Sequence, residues 1–282
     1  MTSHDVVARA RGLIGQRKIG HAGTLDPMAT GLLVLGLGRA TRLIRFIQEG
    51  EKTYVATALF GVATDSLDAD GAVLEREPMP VSQADVEEAS ERFVGDIMQI
   101  PPMVSAVKVG GRRLYELARE GEEIERAARP VTVHEISVLD FAPSDYPEVE
   151  LLVRCSTGTY IRTLADDIAR ALGGRANLTA LRRTAIGPLE VSEASSLAEM
   201  QSAADGDVIE TLVMKPAEGL AGMPGVRVAE DVARGVRHGT ALPVGVFGAV
   251  DDGSIRVLDA EGSLLAVYRV SGDLAKPEVV LS

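Results

Sequence analysis

The chain has 282 residues, of which 46% are apolar and 25% are charged, so it can bury a full core and is not a disordered chain. No apolar stretch approaches the roughly 18 residues that a membrane span needs. Residues 1–11 are polar and basic where a signal peptide would have its apolar region, so we do not expect export. The single cysteine, Cys155, cannot form an internal disulfide, which fits a reducing compartment. Together these features predict a soluble protein of the cytoplasm.

The sequence contains no recognisable motif for binding a metal or for hydrolysing a nucleotide. The four histidines are scattered singly, and no P-loop pattern is present, so if this protein is an enzyme we expect it to work with side chains alone. The net charge of −12 is unevenly distributed: residues 61–100 and 191–282 are acidic, whereas residues 1–60 are basic. A polyanion could bind a local basic face, although ordinary charge scatter on an acidic protein explains the pattern equally well.

The first half of the chain alternates helix and strand patterns. Apolar spacing predicts a helix over 39–48, which ends before Gly50, and alternation predicts a strand over 52–60. A turn at 68–71 leads to a returning strand at 72–75. Ser82 and Asp85 form a capping pattern for a helix with Val86, Ala89 and Phe93 on one side.

The second half adds more strands and a change of texture. Residues 100–113 are predicted to be extended as far as a Gly110-Gly111 turn, followed by a short helix at 112–119 and by strands at 131–141 and 149–155. Leu164, Ile168 and Leu172 mark a helix ended by the next two glycines. These patterns predict an α+β fold with a mainly antiparallel central sheet flanked by helices.

Beyond about residue 220, short strand patterns predict a small C-terminal β-barrel. They lie at 244–250, 254–258 and 264–270, follow one helix near 230–236, and are separated by Asp252-Gly253 and Glu261-Gly262, which are hairpin signals. Prolines and glycines cluster over 214–225. We therefore predict two domains, 1–217 and 218–282.

The most unusual stretch is GHAGTLDPMATG, residues 20–31. Its glycines permit positive φ angles and close backbone approach, and Pro27 fixes the chain just after Asp26. The result is a carboxylate on a rigid loop. Asp-Pro is also a common start of a helix, and a lone histidine such as His21 is more often structural than catalytic.

The whole stretch GHAGTLDPMATGLLVLGLGRATRL resembles the nucleophile motif of the TruB family of tRNA pseudouridine synthases. The resemblance continues in order through Lys52-Thr53-Tyr54, the acidic turn at 65–71, SAVKVGGRRLYELAREG at 105–121, CSTGTYIRTLADDI at 155–168 and LRRTAIG at 181–187. It implies a pseudouridine synthase fold at 1–217 with an RNA-clasping insertion at 105–129. It also implies a PUA-like RNA-binding domain at 218–282.

The activity that this resemblance implies is the isomerisation of uridine 55 in the T-loop of tRNA to pseudouridine. The target base is flipped out of the RNA, and an aspartate nucleophile gives a covalent or glycal-type intermediate. No cofactor or metal is required. The implied partner is the T-arm of tRNA, and we expect a monomer with no obligate protein partner and no membrane association.

The resemblance also assigns catalytic roles to three residues. Asp26 matches the nucleophile, Arg162 matches the arginine that pairs with it, and Tyr54 matches the tyrosine that stacks on the uracil. A bidentate guanidinium suits the pairing with a carboxylate. Without the resemblance, a surface arginine and a half-buried strand tyrosine would be the default interpretations.

Substrate contacts are implied for a larger set. Tyr160 lies two residues before Arg162, so in an extended segment both side chains would point to one face. Leu181 matches the apolar wall of the uracil pocket, where an ordinary core leucine is the alternative. The basic residues are expected to contact phosphates on an exposed rim, with solvated charge as the alternative. The implied substrate-binding residues are His21, Tyr160, Leu181, Lys108, Arg112, Arg113 and Arg183, with Arg182 on the same rim.

Three points depart from this interpretation or compete with it. The family begins with a strand carrying a Lys-Pro pair, and this sequence starts inside that motif, so the strand is expected to be missing. Residues 66–77 partly fit a calcium loop, but Ser66 stands where an aspartate belongs. The rival functions are modification of a different RNA, as in the guide-RNA branch of the family, and a non-catalytic RNA-binding role.

Overall fold

A computed structural model describes residues 1–104 and 124–281 in full, and the backbone alone of residues 108–109 and 112–113. Most of the predicted insertion at 105–129, its Gly110-Gly111 turn and most of the predicted helix at 112–119 lie outside the described residues. Residues 112–113 form a short strand rather than the start of that helix, because they pair with residues 108–109.

The elements are numbered here along the chain. The helices are α1 (Ser3–Ile14), α2 (Ile44–Glu49), α3 (Gln83–Glu91), α4 (Ile161–Ala171), α5 (Leu197–Asp205), α6 (Pro216–Gly219) and α7 (Glu230–Arg237). Short 3-10 helices cover Gly38–Leu43, Val191–Glu193, Ile209–Leu212 and Val244–Phe247. The strands are β1 (Ile19–His21), β2 (Thr30–Gly31), β3 (Leu35–Leu37), β4 (Lys52–Phe60), β5 (Val62–Thr64), β6 (Val73–Arg76), β7 (Gly95–Gln99), β8 (Lys108–Val109), β9 (Arg112–Arg113), β10 (Arg129–Ala142), β11 (Glu148–Cys155), β12 (Ala176–Ile186), β13 (Leu189–Glu190), β14 (Gly225–Arg227), β15 (Leu242–Pro243), β16 (Gly253–Leu258), β17 (Leu264–Ser271) and β18 (Leu274–Val280).

Backbone contacts divide the chain into two compact units. The first unit contains residues 1–27, 33–49 and 187–282, and the second contains residues 28–32 and 50–186. This division cuts the chain at places other than residue 217. The boundary between 217 and 218 stays a prediction.

The second unit is built on an antiparallel sheet with the strand order β12-β4-β11-β10-β7. On β4, Ala56, Ala58 and Phe60 are fully buried at alternate positions, so one face of the strand belongs to the core. Helices α3 and α4 pack with this face. The predicted α+β class with a mainly antiparallel sheet is therefore confirmed.

Helices α3 and α4 of the second unit begin for different reasons. At α3, the Ser82 hydroxyl accepts from the backbone N–H of Asp85, and the Asp85 carboxylate accepts from the Ser82 N–H, so the predicted capping box is present. Helix α4 has no side-chain cap, and most of its residues are buried. Packing against the sheet therefore stabilises α4.

The first unit begins with α1, which packs beside the short β1–β3 ribbon. Val7 and Ala10 of α1 and Ile19 of β1 form a small buried cluster. Thr2 and Asp5 make a reciprocal capping box, and Gly15 ends the helix in a left-handed conformation. The capping box, the buried apolar residues and the C-terminal glycine therefore indicate the same bounds for α1.

The C-terminal part of the first unit contains a sheet with the order β14-β16-β17-β18-β15, covered by α7. The predicted strands at 254–258 and 264–270 and the helix near 230–236 are confirmed. The predicted strand at 244–250 is wrong: Val244–Phe247 forms a 3-10 turn, and Gly248 follows with φ +79°. Asp252-Gly253 leads into β16 and joins no hairpin, whereas Glu261-Gly262 lies in the β16–β17 hairpin.

The same sheet shares a core with the segment around α2. Leu43 packs in one buried cluster with Leu220, Leu264, Val267 and Val279. Three arginines close to Leu43 in sequence donate to the C-terminal backbone: Arg42 and Arg45 to the Val280 and Glu278 oxygens of β18, and Arg39 to the Leu281 oxygen just after this strand. Part of the basic character of residues 1–60 therefore stabilises the fold itself.

Candidate active site

Asp26 lies in the loop between β1 and β2 and is half-buried. Two of the three glycines that the sequence singled out have left-handed backbone conformations, with φ +96° at Gly23 and φ +97° at Gly31. At Gly31, a Cβ atom would come within 2.2 Å of the Arg183 carbonyl oxygen. The loop needs glycine there because of both its conformation and its close approach to β12.

The upstream side of this loop is held within the first unit. The backbone N–H of Leu25 donates to the Ser3 hydroxyl over 2.9 Å. The His21 ring meets the His4 ring edge to face at 5.8 Å between centroids, and Gln48 donates to the His21 carbonyl. The backbone on both sides of residues 22–24 is therefore fixed by neighbouring elements.

The downstream side of the loop belongs to the second unit. Thr30 and Gly31 pair in parallel with Arg182 and Arg183. The Leu32 N–H donates to the Arg183 carbonyl over 2.8 Å, and Arg183 Nε donates to the Leu32 carbonyl over 2.9 Å. The loop that begins in the first unit is thus anchored to the central sheet at Leu32.

Arg183 is only 1% exposed, so it does not lie on the exposed rim that the sequence predicted for it. Its guanidinium faces the loop backbone because its strand register turns it inward, whereas the neighbouring Arg182 is exposed. A direct RNA contact of Arg183 stays a prediction.

Tyr54 and Leu181 lie on the same face of the sheet as Arg183. Tyr54 is opposite Arg183, and Leu181 is opposite Ala56, two residues further along β4. Leu181 is buried, and the half-buried Tyr54 packs against the same apolar cluster. The structure therefore brings an aromatic ring, an apolar wall and a buried cation to one face.

Lys52 adds a second buried cation on this face. It is 5% exposed, and its Nζ donates to the Gly50 carbonyl over 2.7 Å. Burial, reinforced by the positive charge of Arg183, lowers the pKa of Lys52 to about 8. On the neighbouring strand β11, burial raises the pKa of the Cys155 thiol to about 11, so this cysteine is inert at neutral pH.

Arg162 is buried at the start of α4, with 2% of its surface exposed. One terminal nitrogen donates to the Ser66 carbonyl at 2.7 Å and to the Asp68 carboxylate at 3.0 Å. The other donates to the Val104 carbonyl at 2.8 Å. Fixed acceptors therefore hold the guanidinium in one orientation.

Asp68 pairs with Arg162, and sequence reasoning assigned it no role in the site. It lies in the acidic turn, which is joined to β12 because Ala69 N–H donates to the Leu178 carbonyl and Leu178 N–H donates to the Leu67 carbonyl. Leu67 adopts φ +61°, a strained conformation for leucine. The turn that partly fits a calcium loop thus holds Asp68 against Arg162, and this acidic turn was the sequence signal that could have identified Asp68.

Gln99 is a second residue that sequence reasoning missed. Its buried amide accepts from the Tyr160 N–H at 2.7 Å and donates to the Tyr160 carbonyl at 3.1 Å. Tyr160 directly precedes α4 and is itself extended, but Arg162 lies inside the helix. The argument that both side chains point to one face of an extended segment is therefore wrong, because the helix begins between them.

The remaining predicted residues are distributed as follows. Lys108, Arg112 and Arg113 belong to the paired strands β8 and β9, of which only the backbone is described. Asp26 and His21 belong to the first unit, whereas Tyr54, Tyr160, Arg162, Leu181 and Arg183 belong to the second. The pairing of Asp26 with Arg162 stays a prediction. No helix in the described part of the chain is long and apolar enough to cross a bilayer.

Comparison with known proteins agrees with this arrangement. Residues 11–161 match the model of the TruB family pseudouridylate synthase N-terminal domain, and residues 162–219 match that of the tRNA pseudouridylate synthase B C-terminal domain. A tRNA pseudouridine synthase B from Thermobifida fusca is 44% identical over 100% of this chain and 94% of its own length. A protein of the same name from Symbiobacterium thermophilum is 46% identical over 86% of this chain and 80% of its own.

Solved structures show the same fold. A Cbf5-Nop10-Gar1 complex matches with a TM-score of 0.78 and 25% identity, covering 100% of this chain and 82% of that one. An H/ACA RNP bound to a substrate RNA containing 2'-deoxyuridine matches with a TM-score of 0.77 and 22% identity, with the same coverage. The predicted fold, with its small C-terminal domain, is confirmed, and the chain belongs to the TruB family of pseudouridylate synthases.

Proposed function

We propose that this protein converts uridine 55 in the T-loop of tRNA to pseudouridine. The observation that carries the proposal is the family match over residues 11–161, which includes the Asp26 loop and the strand with Tyr54. The names of the relatives, tRNA pseudouridine synthase B, supply the substrate class. We further propose a cytoplasmic monomer that needs no obligate protein partner and no cofactor.

Asp26 is the nucleophile in this proposal. The reaction breaks the bond between N1 of uracil and C1′ of ribose, rotates the base and joins its C5 to C1′. The proton lost from C5 is balanced by the proton gained at N1, so no atom enters or leaves. A carboxylate suits this task because it can form a covalent intermediate and still leave, and a loop anchored at Leu25 and Leu32 supports it at a fixed place.

The sheet face with Tyr54 and Leu181 receives the flipped base in this proposal. A base that leaves its stack needs an aromatic or apolar surface to replace the lost contacts. The half-buried ring of Tyr54 and the side chain of Leu181 supply both kinds of surface. His21, Tyr160 and the basic residues 108, 112 and 113 contact the surrounding RNA, and Arg162 orients the Asp26 carboxylate.

Tritium release from a T-arm labelled at uracil C5 tests the proposal, with the same assay on ribosomal RNA as the alternative substrate. Asp26→Asn keeps size and hydrogen bonding but loses nucleophilicity, so its single-turnover rate should fall at least about a hundredfold while RNA affinity stays within a few fold. Turnover of deamidation-free Asp26→Asn above about one hundredth of wild type would remove Asp26 from this role. Absence of release by the wild-type protein would refute the activity itself.

A further inference from the structure

The side chain of Ser3 contacts the backbone of Leu25, the residue next to Asp26. This side chain is almost fully buried, at 5% exposure, although serine is usually exposed. The hydroxyl oxygen accepts from the Leu25 N–H at 2.9 Å, and the same hydroxyl points to the Leu25 carbonyl at 3.4 Å. One side chain thus contacts both polar groups of the residue that precedes Asp26.

The position of Ser3 is fixed independently of this contact. Ser3 is the first residue of α1, and the helix start is stabilised by the reciprocal bonds between Thr2 and Asp5, of 2.8 and 3.2 Å. One turn further, Val7 and Ala10 are buried against Ile19. The hydroxyl is therefore presented by a rigid element, which is what precise placement of a functional loop requires.

A second contact joins the same helical turn to the same loop. The ring of His4 lies edge to face against the ring of His21, with 5.8 Å between centroids. Two successive residues of α1 therefore meet the two ends of segment 21–25. Pro27 restricts the chain on the other side of Asp26, so little freedom remains in the backbone that carries the carboxylate.

We propose that Ser3 is a positioning residue for Asp26, acting through its hydrogen bonds to Leu25. This inference rests on the proposed function, because it assumes that Asp26 attacks the substrate. Loss of the hydroxyl leaves the Leu25 N–H without its acceptor and lets the loop shift. Displacement of a nucleophile by about 1 Å slows a reaction by up to about a hundredfold, whereas substrate binding depends on many other contacts.

The test compares Ser3→Ala, Ser3→Cys and the control Ser82→Ala in the full chain. Ser82→Ala removes the serine hydroxyl that caps α3 and lowers the stability of that helix, but does not touch α1 or its capping box. We expect the single-turnover rate on the T-arm to fall about tenfold in Ser3→Ala, less in Ser3→Cys because a thiol still accepts a weak hydrogen bond, and less than about twofold in Ser82→Ala. The RNA dissociation constant should stay within about twofold in all three, at temperatures well below each melting point.

Hydrogen exchange at the Leu25 amide separates this inference from the proposed function. Exchange should accelerate in Ser3→Ala and stay unchanged in Ser82→Ala, whether or not the protein acts on tRNA. An unchanged rate in Ser3→Ala, an equal loss in Ser82→Ala, or unchanged Leu25 exchange in Ser3→Ala would each overturn the role of Ser3. A wild-type protein without activity but with Ser3-dependent Leu25 exchange would refute the function while leaving the anchor established.

Discussion

The hydrogen-bond acceptors around Arg162 determine the orientation of its buried side chain. Arg162 donates to the Ser66 and Val104 carbonyls and to Asp68, so the planar fork serves three groups on two chain segments. A buried cation of this kind is stable only because the carboxylate and the carbonyls replace its hydration. The alternative interpretation of a surface arginine is therefore wrong for this residue.

Arg162→Lys keeps the charge, but a single ammonium group cannot reach all three acceptors. We expect the single-turnover rate of pseudouridine formation to fall at least about tenfold, while RNA affinity changes less than about threefold. Arg154→Lys, at a partly exposed position of β11 in the same sheet, is the control and should leave the rate unchanged. Equal losses in rate and affinity would show that Arg162 contacts RNA instead.

Asp167 is the residue for which the structure predicts a pH effect on stability. Burial, helped by the adjacent charge of Asp166, raises the pKa of Asp167 from 3.8 to about 6. The folded protein therefore holds this proton more tightly than the unfolded chain. The resulting cost to stability is absent below about pH 4, grows as the pH rises towards 6, and is complete above it.

Asp167→Asn removes this cost because the amide is uncharged at every pH. The melting temperature of the variant should exceed that of the wild type at pH 7 and match it near pH 4. Asp251→Asn, at an exposed position, should show no such difference. A stabilisation that is the same at both pH values would contradict the electrostatic origin.

At the scale of elements, the nucleophile loop illustrates why a glycine is required. Gly31 combines φ +97° with a Cβ position that overlaps the Arg183 carbonyl oxygen, whereas Gly12 lies within α1 with nothing within 4 Å of its Cβ position. The same substitution therefore has opposite consequences at the two positions. Local geometry, rather than residue type, decides the sign.

Gly31→Ala should lower the free energy of unfolding by at least about 2 kcal/mol, because the strand pairing of β2 with β12 must separate. Gly12→Ala should raise it by up to about 1 kcal/mol, because alanine favours an exposed helix interior. Urea denaturation of both variants measures the two changes. Equal effects in the two proteins would contradict the close approach at Gly31.

At the scale of the whole molecule, an acidic chain must bind a polyanion through local basic segments. The net charge is −12, and three arginines of segment 1–60 donate to backbone oxygens of residues 278–281, so part of this basic segment is used in the fold. The basic residues of the insertion therefore gain importance for RNA binding. The acidic stretches 61–100 and 191–282 add repulsion at long range.

Neutralising Lys108, Arg112 and Arg113 to glutamine should flatten the dependence of RNA affinity on salt by up to about three units of slope. The single-turnover rate at saturating RNA should change less, because these residues are not assigned to the chemistry. Arg92→Gln, an exposed cation in the acidic stretch 61–100, is the control. A wild-type slope in the triple variant would place the RNA elsewhere on the surface.

Sequence patterns were sufficient to predict those elements that are stabilised by residues close together in the chain. The strand over 52–60 was predicted at its observed bounds because alternation reports directly on a half-buried strand. The capping pair Ser82 and Asp85 marked the start of α3 for the same reason. The Asp26 loop and its family were also recognisable, because glycines, proline and aspartate in that order form a distinctive motif.

Tertiary contacts decided the features that the sequence patterns missed, namely strand β12 and the partners of several buried polar residues. Strand β12 was not predicted as a strand, because Arg182 and Arg183 are unusual in a central strand, and the Leu32 carbonyl that accepts from the buried Arg183 guanidinium lies 151 positions away in sequence. Asp68, Gln99 and Ser3 were missed because each acts on a residue that is 22 to 94 positions away in sequence. The sequence alone determined the family, the loop and most elements, whereas partners of buried polar groups depend on chain segments that only folding brings together.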